Sequence, residues 1–123
     1  MDNVDIKIIV DKQSELRMKD AADRLRNCCK NNAIKVYNKD ITVVFSNDHN
    51  FVKDTVARLP KNVVVVNVTE NLSEQHIINA LKYVSDICYL KTDVNIIATR
   101  IINAYNRNMN KVRNRIWPKA LRK

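Results

Sequence analysis

The chain has 123 residues, enough for one ordinary domain or a small α/β unit with a helical addition, and 46% hydrophobic residues indicate a packed core rather than disorder. It contains no glycine, which disfavours enzymes built on glycine-rich phosphate loops, nucleophile elbows or dinucleotide fingerprints. Of the formal charge of +9, residues 91–123 carry +8, from nine Lys and Arg against the single acid Asp93. Such polarisation is typical of a polyanion-binding surface, although a solvated basic helix kept for solubility would give the same composition.

The cysteines and the hydropathy pattern bear on the compartment. Cys28, Cys29 and Cys88 form neither an even disulfide framework nor the C-x-x-C spacing of a zinc or redox site, so we expect reduced thiols in the core. No signal-like segment is present, and no apolar run approaches the roughly 18 residues of a membrane span. The sequence therefore predicts a cytoplasmic protein without a membrane partner.

Three short runs of β-branched residues predict the centre of a parallel sheet. Residues 6–10, 41–45 and 63–68 are nearly continuous in Ile, Val and Thr, which is typical of strands covered on both faces. Between the first two runs, residues 13–31 carry an apolar stripe at helical spacing with charged residues opposite. We expect a helix there that packs against the sheet.

Two shorter features complete this part of the chain. The alternation at Ile34 and Val36 predicts a short edge strand before a turn at residues 38–40. Asp48 is placed to cap a second helix over residues 49–59, which a proline ends. The whole pattern up to residue 70 indicates an α/β arrangement.

After the third run the pattern becomes purely helical. Ser73 is placed to cap a helix over residues 74–90, and Thr92 to cap another with a clear apolar stripe. We expect an α/β scaffold or dimerisation unit, residues 1–70, and a helical, basic DNA-binding unit, residues 71–123. The predicted fold class is a short, mainly parallel sheet with flanking helices, followed by an all-α unit of helix-turn-helix type. The stripe consists of Val94, Ile97, Ala98, Ile101, Ile102 and Tyr105.

The polar stretch at residues 106–108 predicts a turn between two helices. It cannot continue an apolar face, and Asn108 is placed to cap a new helix that starts near Met109, with Val112 and Ile116 facing inward. A helix-turn-helix is one interpretation, and a terminal helical hairpin with its basic residues in water is the other. The remaining positions of the second helix hold residue types that read base edges and bind phosphates: Asn110, Lys111, Arg113, Asn114 and Arg115.

The same segment resembles a known family. Residues 101–116, Ile-Ile-Asn-Ala-Tyr-Asn-Arg-Asn-Met-Asn-Lys-Val-Arg-Asn-Arg-Ile, are similar to the helix, turn, cap and recognition helix of the C-terminal DNA-binding effector domain of the sporulation stage-zero response regulator of endospore-forming bacteria. The similarity covers about residues 74–117. That family carries an acidic residue at position 113 and a basic one at 114, so the resemblance implies a different DNA target. It implies base contacts from Asn110, Lys111, Arg113 and Asn114.

Phosphate contacts are expected from the basic residues on both sides of this helix. Pro118 should end or kink the helix at Trp117, which leaves a basic tail that can touch the DNA backbone. The predicted phosphate-contacting residues are Arg100, Arg107, Arg115, Lys119, Arg122 and Lys123.

The carboxylates and histidines leave one catalytic alternative open. Asp11, Asp48 and Glu70 follow predicted strands, where open α/β sheets place active sites, and this pattern would suit a nuclease or nucleotide-processing enzyme. Capping and turn formation explain the same acids without chemistry. His49 and His76 share no obvious ligand set. We expect no catalytic residues, no metal and no cofactor.

These observations together favour a sequence-selective protein that binds double-stranded DNA, as a homodimer, and regulates transcription. A dimer is expected because one recognition helix contacts too few base pairs to be selective. Two alternatives remain open. One is an accessory factor of a plasmid or phage, acting in replication, partition or transfer. The other is a phage-type inhibitor that uses the basic face to bind a host protein complex.

Overall fold

Among the residues that the structure describes, four parallel strands in sequential order form one sheet. Each strand hydrogen-bonds to the next, in the order β1-β2-β3-β4, so that β2 and β3 are central. The computed structural model describes residues 6–31, 41–61 and 63–116, and the side chains of residues 6–28, 41–61 and 63–108. The strands are β1 (Lys7–Val10), β2 (Ile41–Phe45), β3 (Val64–Thr69) and β4 (Asp86–Tyr89).

Helices alternate with the strands along the described chain, and a 3₁₀ turn at Lys12–Ser14 precedes the first. Two of the predicted N-caps are confirmed: the Asp48 carboxylate accepts a hydrogen bond from the backbone N–H of Asn50 at 2.8 Å, and Ser73 Oγ accepts one from that of His76 at 3.3 Å. The helices are α1 (Glu15–Asn31), α2 (His49–Ala57), α3 (Glu74–Ala80) and α4 (Val94–Ile116).

The three strands predicted from β-branched runs are present, but the prediction that each is central is wrong for β1, which lies at an edge of the described sheet. Both faces of the central strands β2 and β3 are covered. Val43 and Phe45 of β2 point into a core formed with α1 and α4, whereas Val44 packs on the other face with Val52 of α2. All five residues of β2 and all six of β3 are buried, which is why these strands are continuous apolar runs in the sequence. The predicted edge strand at Ile34 and Val36 and the turn at residues 38–40 lie outside the described residues.

The prediction of one helix over residues 74–90 is wrong in its second half. The helix α3 ends at Ala80, and after a turn Asp86–Tyr89 pairs with β3 as the fourth strand. The apolar residues Val84 and Cys88 are four apart and suggested one helical stripe, but they belong to the core clusters on opposite sides of the sheet. Val84 precedes the strand, and within β4 the neighbouring residues Ile87 and Cys88 alternate between the same two faces. The backbone of β4 also pairs with the otherwise unpaired edge of β3.

The predicted break at residues 106–108 is also wrong, because α4 continues without interruption from Val94 to Ile116. No helix begins near Met109. Ile101, Tyr105, Val112 and Ile116 are spaced by four, seven and four residues, so they stay in phase along one continuous helix. The residue that caps α4 is Asp93 and not Thr92 as predicted: Asp93 Oδ1 accepts a hydrogen bond from the backbone N–H of Asn95 at 2.8 Å.

The fold class is corrected accordingly. The protein is an α/β fold in which helices are interleaved with a four-stranded parallel sheet, and the part after residue 70 contributes a strand to that sheet instead of forming an all-α unit. The helix α4 packs against α1 and against β3 and β4. Among the described residues, no helix has the length and apolar character needed to cross a membrane.

Candidate functional site

The predicted base-contacting residues all fall within the last two turns of α4. Positions 110, 111, 113 and 114 are helical, and their side chains lie outside the part of the chain that the structure describes. The same holds for the phosphate contact predicted at Arg115, whereas Lys119, Arg122 and Lys123 lie beyond the described residues altogether. The structure therefore places the four positions on one continuous helix.

The length of α4 determines how much of it the sheet can cover. Its 23 residues span about 35 Å at 1.5 Å per residue. The longest strand, β3, has six residues and spans about 20 Å, and four strands side by side extend about 14 Å across the sheet. The buried residues of α4 among those described, Ile97, Ala98, Ile101 and Ala104, are all in its first half. The helix is therefore longer than the strands on which it packs.

Two predicted phosphate contacts have described side chains, and their surroundings differ. The Arg100 guanidinium forms a two-pronged ion pair with Asp86, with Nε and Nη2 each 2.9 Å from a carboxylate oxygen. This hydrogen-bonded pairing raises the pKa of Arg100 above its ordinary value. Arg107, two helical turns later, is exposed, and it borders a cavity of about 260 Å³ with Ser85 and Asn108. Arg107 is therefore available to a ligand, while Arg100 fastens α4 to β4.

The three carboxylates that suggested catalysis do lie at one edge of the sheet, and each has a structural partner there. Asp11 is 5% exposed and accepts hydrogen bonds from Ser46 Oγ at 2.8 Å and from the backbone N–H of Gln13 at 3.1 Å. Asp48 caps α2. Glu70 forms an ion pair with Arg17 of α1 at 3.1 Å. These contacts match the alternative of capping and turn formation.

Asn47 joins the loops that follow β2 and β3. Its Oδ1 accepts from Thr69 Oγ1 at 2.9 Å and from the backbone N–H of Glu70 at 2.7 Å. Its backbone carbonyl accepts from Asn71 Nδ2 at 3.1 Å. The loops at the carboxyl edge are thus held together by side-chain hydrogen bonds, without a glycine in either loop. Among the described residues, no group of three or more His, Cys, Asp or Glu is arranged to hold a metal ion.

A buried pair of polar side chains, Asn67 of β3 and His76 of α3, lies behind this edge. Asn67 Nδ2 donates to the carbonyl oxygens of Val44 at 2.9 Å and Ser46 at 3.2 Å, which leaves Oδ1 as an acceptor. His76 Nε2 is 2.8 Å from that Oδ1 and must therefore carry the proton. The pair connects α3 directly to the centre of the sheet.

The ring of His76 is neutral for physical reasons. Burial lowers its pKa, the neighbouring His49 lowers it further, and Asp48 opposes both effects. The two imidazole rings meet edge to face with centroids 6.1 Å apart. Nδ1 of His76 is left as a buried acceptor without a hydrogen-bond partner, and the residue is only 1% exposed. We assign His76 a structural role.

Reasoning from sequence identified the acids of this edge but missed Asn67, Ser46 and Asn47. A usable signal was present for Asn67, the only polar residue between Val63 and Val68 in a run that is otherwise all valine. A buried amide in such a run requires partners on neighbouring backbone. No comparable signal marked Ser46 and Asn47, because Ser and Asn are ordinary loop residues.

Comparisons with known proteins do not place the chain in a family. No family model, no curated protein and no solved structure matches it.

Proposed function

We propose that the protein binds duplex DNA through the C-terminal half of α4 and the basic residues that follow it. The observation that carries this proposal is the charge of residues 91–123, a net of +8 in a chain whose total is +9. Clustered cations bind a polyanion strongly because each neutralised phosphate releases condensed counterions. The rest of the chain is nearly neutral, so DNA would be attracted to this segment alone.

The shape of α4 supports the proposal. A helix with its side chains is about 10–12 Å across, and the major groove of duplex DNA is about 12 Å wide. The helix is about 35 Å long and the longest strand about 20 Å, a difference that leaves room for the end of α4 to extend past the sheet and enter a groove. Positions 107, 111 and 115 are cationic and four residues apart, and positions with that spacing share one face of a helix.

Base reading by Asn110, Lys111, Arg113 and Asn114 is part of the proposal, now from a continuous helix rather than from a helix-turn-helix. Asn and Arg are the residue types best suited to adenine and guanine in the major groove. A homodimer and a role in regulating transcription also belong to the proposal, since one helix contacts few base pairs and two-fold sites double that number.

The test is fluorescence anisotropy with a labelled random-sequence duplex at several salt concentrations between about 50 and 200 mM. Replacing Arg107, Lys111 and Arg115 by glutamine removes three cations while keeping good helix formers in α4. The salt slope of log K should become shallower by about 0.9 for each phosphate that the variant no longer neutralises, up to about 2.7 for the three. Arg100→Gln alone should change it little, because that guanidinium is paired with Asp86.

A matched control removes the same charge elsewhere. Lys12, Lys19 and Lys61 are exposed on other parts of the surface, and their joint replacement by glutamine should leave the salt slope nearly unchanged. Equal reductions of the slope in the two triple variants would show that binding follows net charge and not α4. No binding of the unsubstituted protein at about 50 mM salt would overturn the proposal and favour a protein partner. If the unsubstituted protein does bind, selection from a random duplex library at about 150 mM salt would distinguish sequence-selective from non-selective binding.

A further inference from the structure

An exposed apolar surface lies on α3, away from the basic segment. Among the described residues, six large hydrophobic side chains are exposed, and four of them fall within residues 72–83. Ile78 and Leu81 are 59% and 50% exposed, and they are three residues apart, so they adjoin on the helix surface. Single exposed apolar residues are ordinary, but a contiguous group indicates a contact surface. The other two are Leu72 and Tyr83.

The inner side of α3 explains why this face is left outside. His76 and Ala80 are buried against the body of the protein, and His76 is tied to Asn67 of β3 at 2.8 Å. Glu74 and Ile78 lie on the opposite side of the helix, and Leu81 and Lys82, which follow its last turn, are also exposed. We call the surface formed by Glu74, Ile78, Leu81 and Lys82 the α3 face.

The charges of the α3 face are arranged symmetrically about its apolar centre. Glu74 lies four residues before Ile78 and Lys82 four residues after it, and both are exposed. Glu74 is the first residue of α3 and Lys82 lies in the turn after it, so the surface is acidic at one end and basic at the other. Two copies that meet antiparallel about a two-fold axis near Ile78 would bring each Glu74 towards the partner's Lys82. A parallel crossing would instead oppose like charges. A two-fold interface uses the same patch on both subunits, and this patch is complementary to itself.

We propose that the α3 face binds a second copy of this chain in an antiparallel, two-fold contact centred on Ile78. This inference deepens the homodimer of the proposed function, but it rests on α3 alone and stands whether or not the protein binds DNA. The apolar part is small beside the roughly 800 Å² per partner of a standard interface, so the dimer is weak and reversible, with a dissociation constant in the micromolar range.

The experiment is sedimentation velocity of the full chain without DNA, over protein concentrations from about 1 to 500 µM, a range that brackets a micromolar dissociation constant. The unsubstituted protein should shift from monomer to dimer across this range. Ile78→Glu should remain monomeric. Ile96→Glu is the matched control, because Ile96 is 54% exposed on α4 and outside the α3 face, and it should dimerise normally. Circular dichroism spectra establish that each variant is folded.

Charge reversal tests the antiparallel geometry directly. Glu74→Lys or Lys82→Glu alone places like charges opposite each other at both ends of the contact, and each should weaken the dimer about tenfold. The double variant Glu74→Lys/Lys82→Glu restores both pairs and should recover the original dissociation constant to within about threefold, a residual change of the size expected for exposed ion pairs.

Three results would overturn the inference: a monomer at about 500 µM, an Ile78→Glu variant that dimerises like the unsubstituted protein, or a double charge reversal no tighter than the single ones. Anisotropy of monomeric Ile78→Glu with the labelled duplex separates this inference from the proposed function. If that variant binds DNA, the two surfaces are independent. If neither protein binds DNA while the dimer forms as expected, only the DNA proposal fails.

Discussion

Asn67 offers the sharpest test of how α3 is held to the sheet. Its side chain is fully buried in β3, where Nδ2 donates to two backbone carbonyls and Oδ1 accepts from His76 Nε2. Asn67→Leu keeps a side chain of similar size but removes all of these hydrogen bonds. The ring N–H of His76 then has no acceptor in a place that water does not reach.

The size of the effect follows from the groups left without partners. A buried donor without an acceptor costs about 1–3 kcal/mol, and each hydrogen bond contributes about 1 kcal/mol net. The carbonyls of Val44 and Ser46 are each deprived of one donor, which adds a smaller cost than the orphaned N–H. We therefore expect Asn67→Leu to lower the free energy of unfolding by about 2–4 kcal/mol.

Urea unfolding followed by circular dichroism measures this change. Asn79→Leu is the control, because the Asn79 amide is solvent-accessible and lies on α3, the helix that carries His76. This change should alter the free energy of unfolding by no more than about 0.5 kcal/mol. The double variant Asn67→Leu/His76→Leu should lose about 1–2 kcal/mol less free energy of unfolding than the two single variants lose together, because the second change removes the unpaired N–H of His76. Additive effects, or a single destabilisation under about 1 kcal/mol, would refute the assigned role of the pair.

Two further predictions follow from the buried titratable groups. Burial holds the pKa of His76 below its ordinary 6.5, so the unfolded chain takes up a proton before the folded protein does as the pH falls. The free energy of unfolding should therefore decline below about pH 6.5, by at most about 1.4 kcal/mol per pH unit. Unfolding measured at about pH 7.0 and pH 5.5 should show this decline in the unsubstituted protein and not in His76→Leu, and an equal decline in both proteins would contradict the prediction. Burial and the adjacent Asp86 raise the pKa of the Cys88 thiol to about 11. Iodoacetamide at about pH 8, followed by peptide mapping, should therefore modify Cys88 only after unfolding, and rapid modification of the folded protein would mean that β4 detaches from the sheet.

The central part of the fold could be predicted because burial on both faces leaves a mark in the sequence. The strands β2 and β3 are buried throughout, and only β-branched and aromatic residues pack well at most of their positions. The caps Asp48 and Ser73 were also predictable, since a short polar side chain before an apolar periodic run has few other uses.

The edge strand β4 could not be recognised by the same rule. It has four residues, Asp-Ile-Cys-Tyr, of which only Cys88 is fully buried. With one neighbour instead of two, a short edge strand carries neither a continuous apolar run nor a full alternation. Its place in the sheet depends on β3, a contact that no local pattern around residues 86–89 records. The carboxyl-edge contacts of Asn47 were hidden for the same reason, because their partners lie more than twenty residues away.

The continuity of α4 shows which of two local signals has more physical weight. Asn and Arg at residues 106–108 suggested a turn, but neither residue type prevents helix formation, and residues 94–116 contain no proline or glycine to end it. The apolar positions from Ile101 to Ile116 keep one helical phase, which a turn at residues 106–108 would interrupt, and no residue in the segment opposes a helix. The consequence reaches the proposed function. A continuous helix would present DNA with residues at spacings of three and four, so the proposed contacts should follow positions 107, 111 and 115, with 110 and 114 beside them, rather than the first turn of a separate recognition helix.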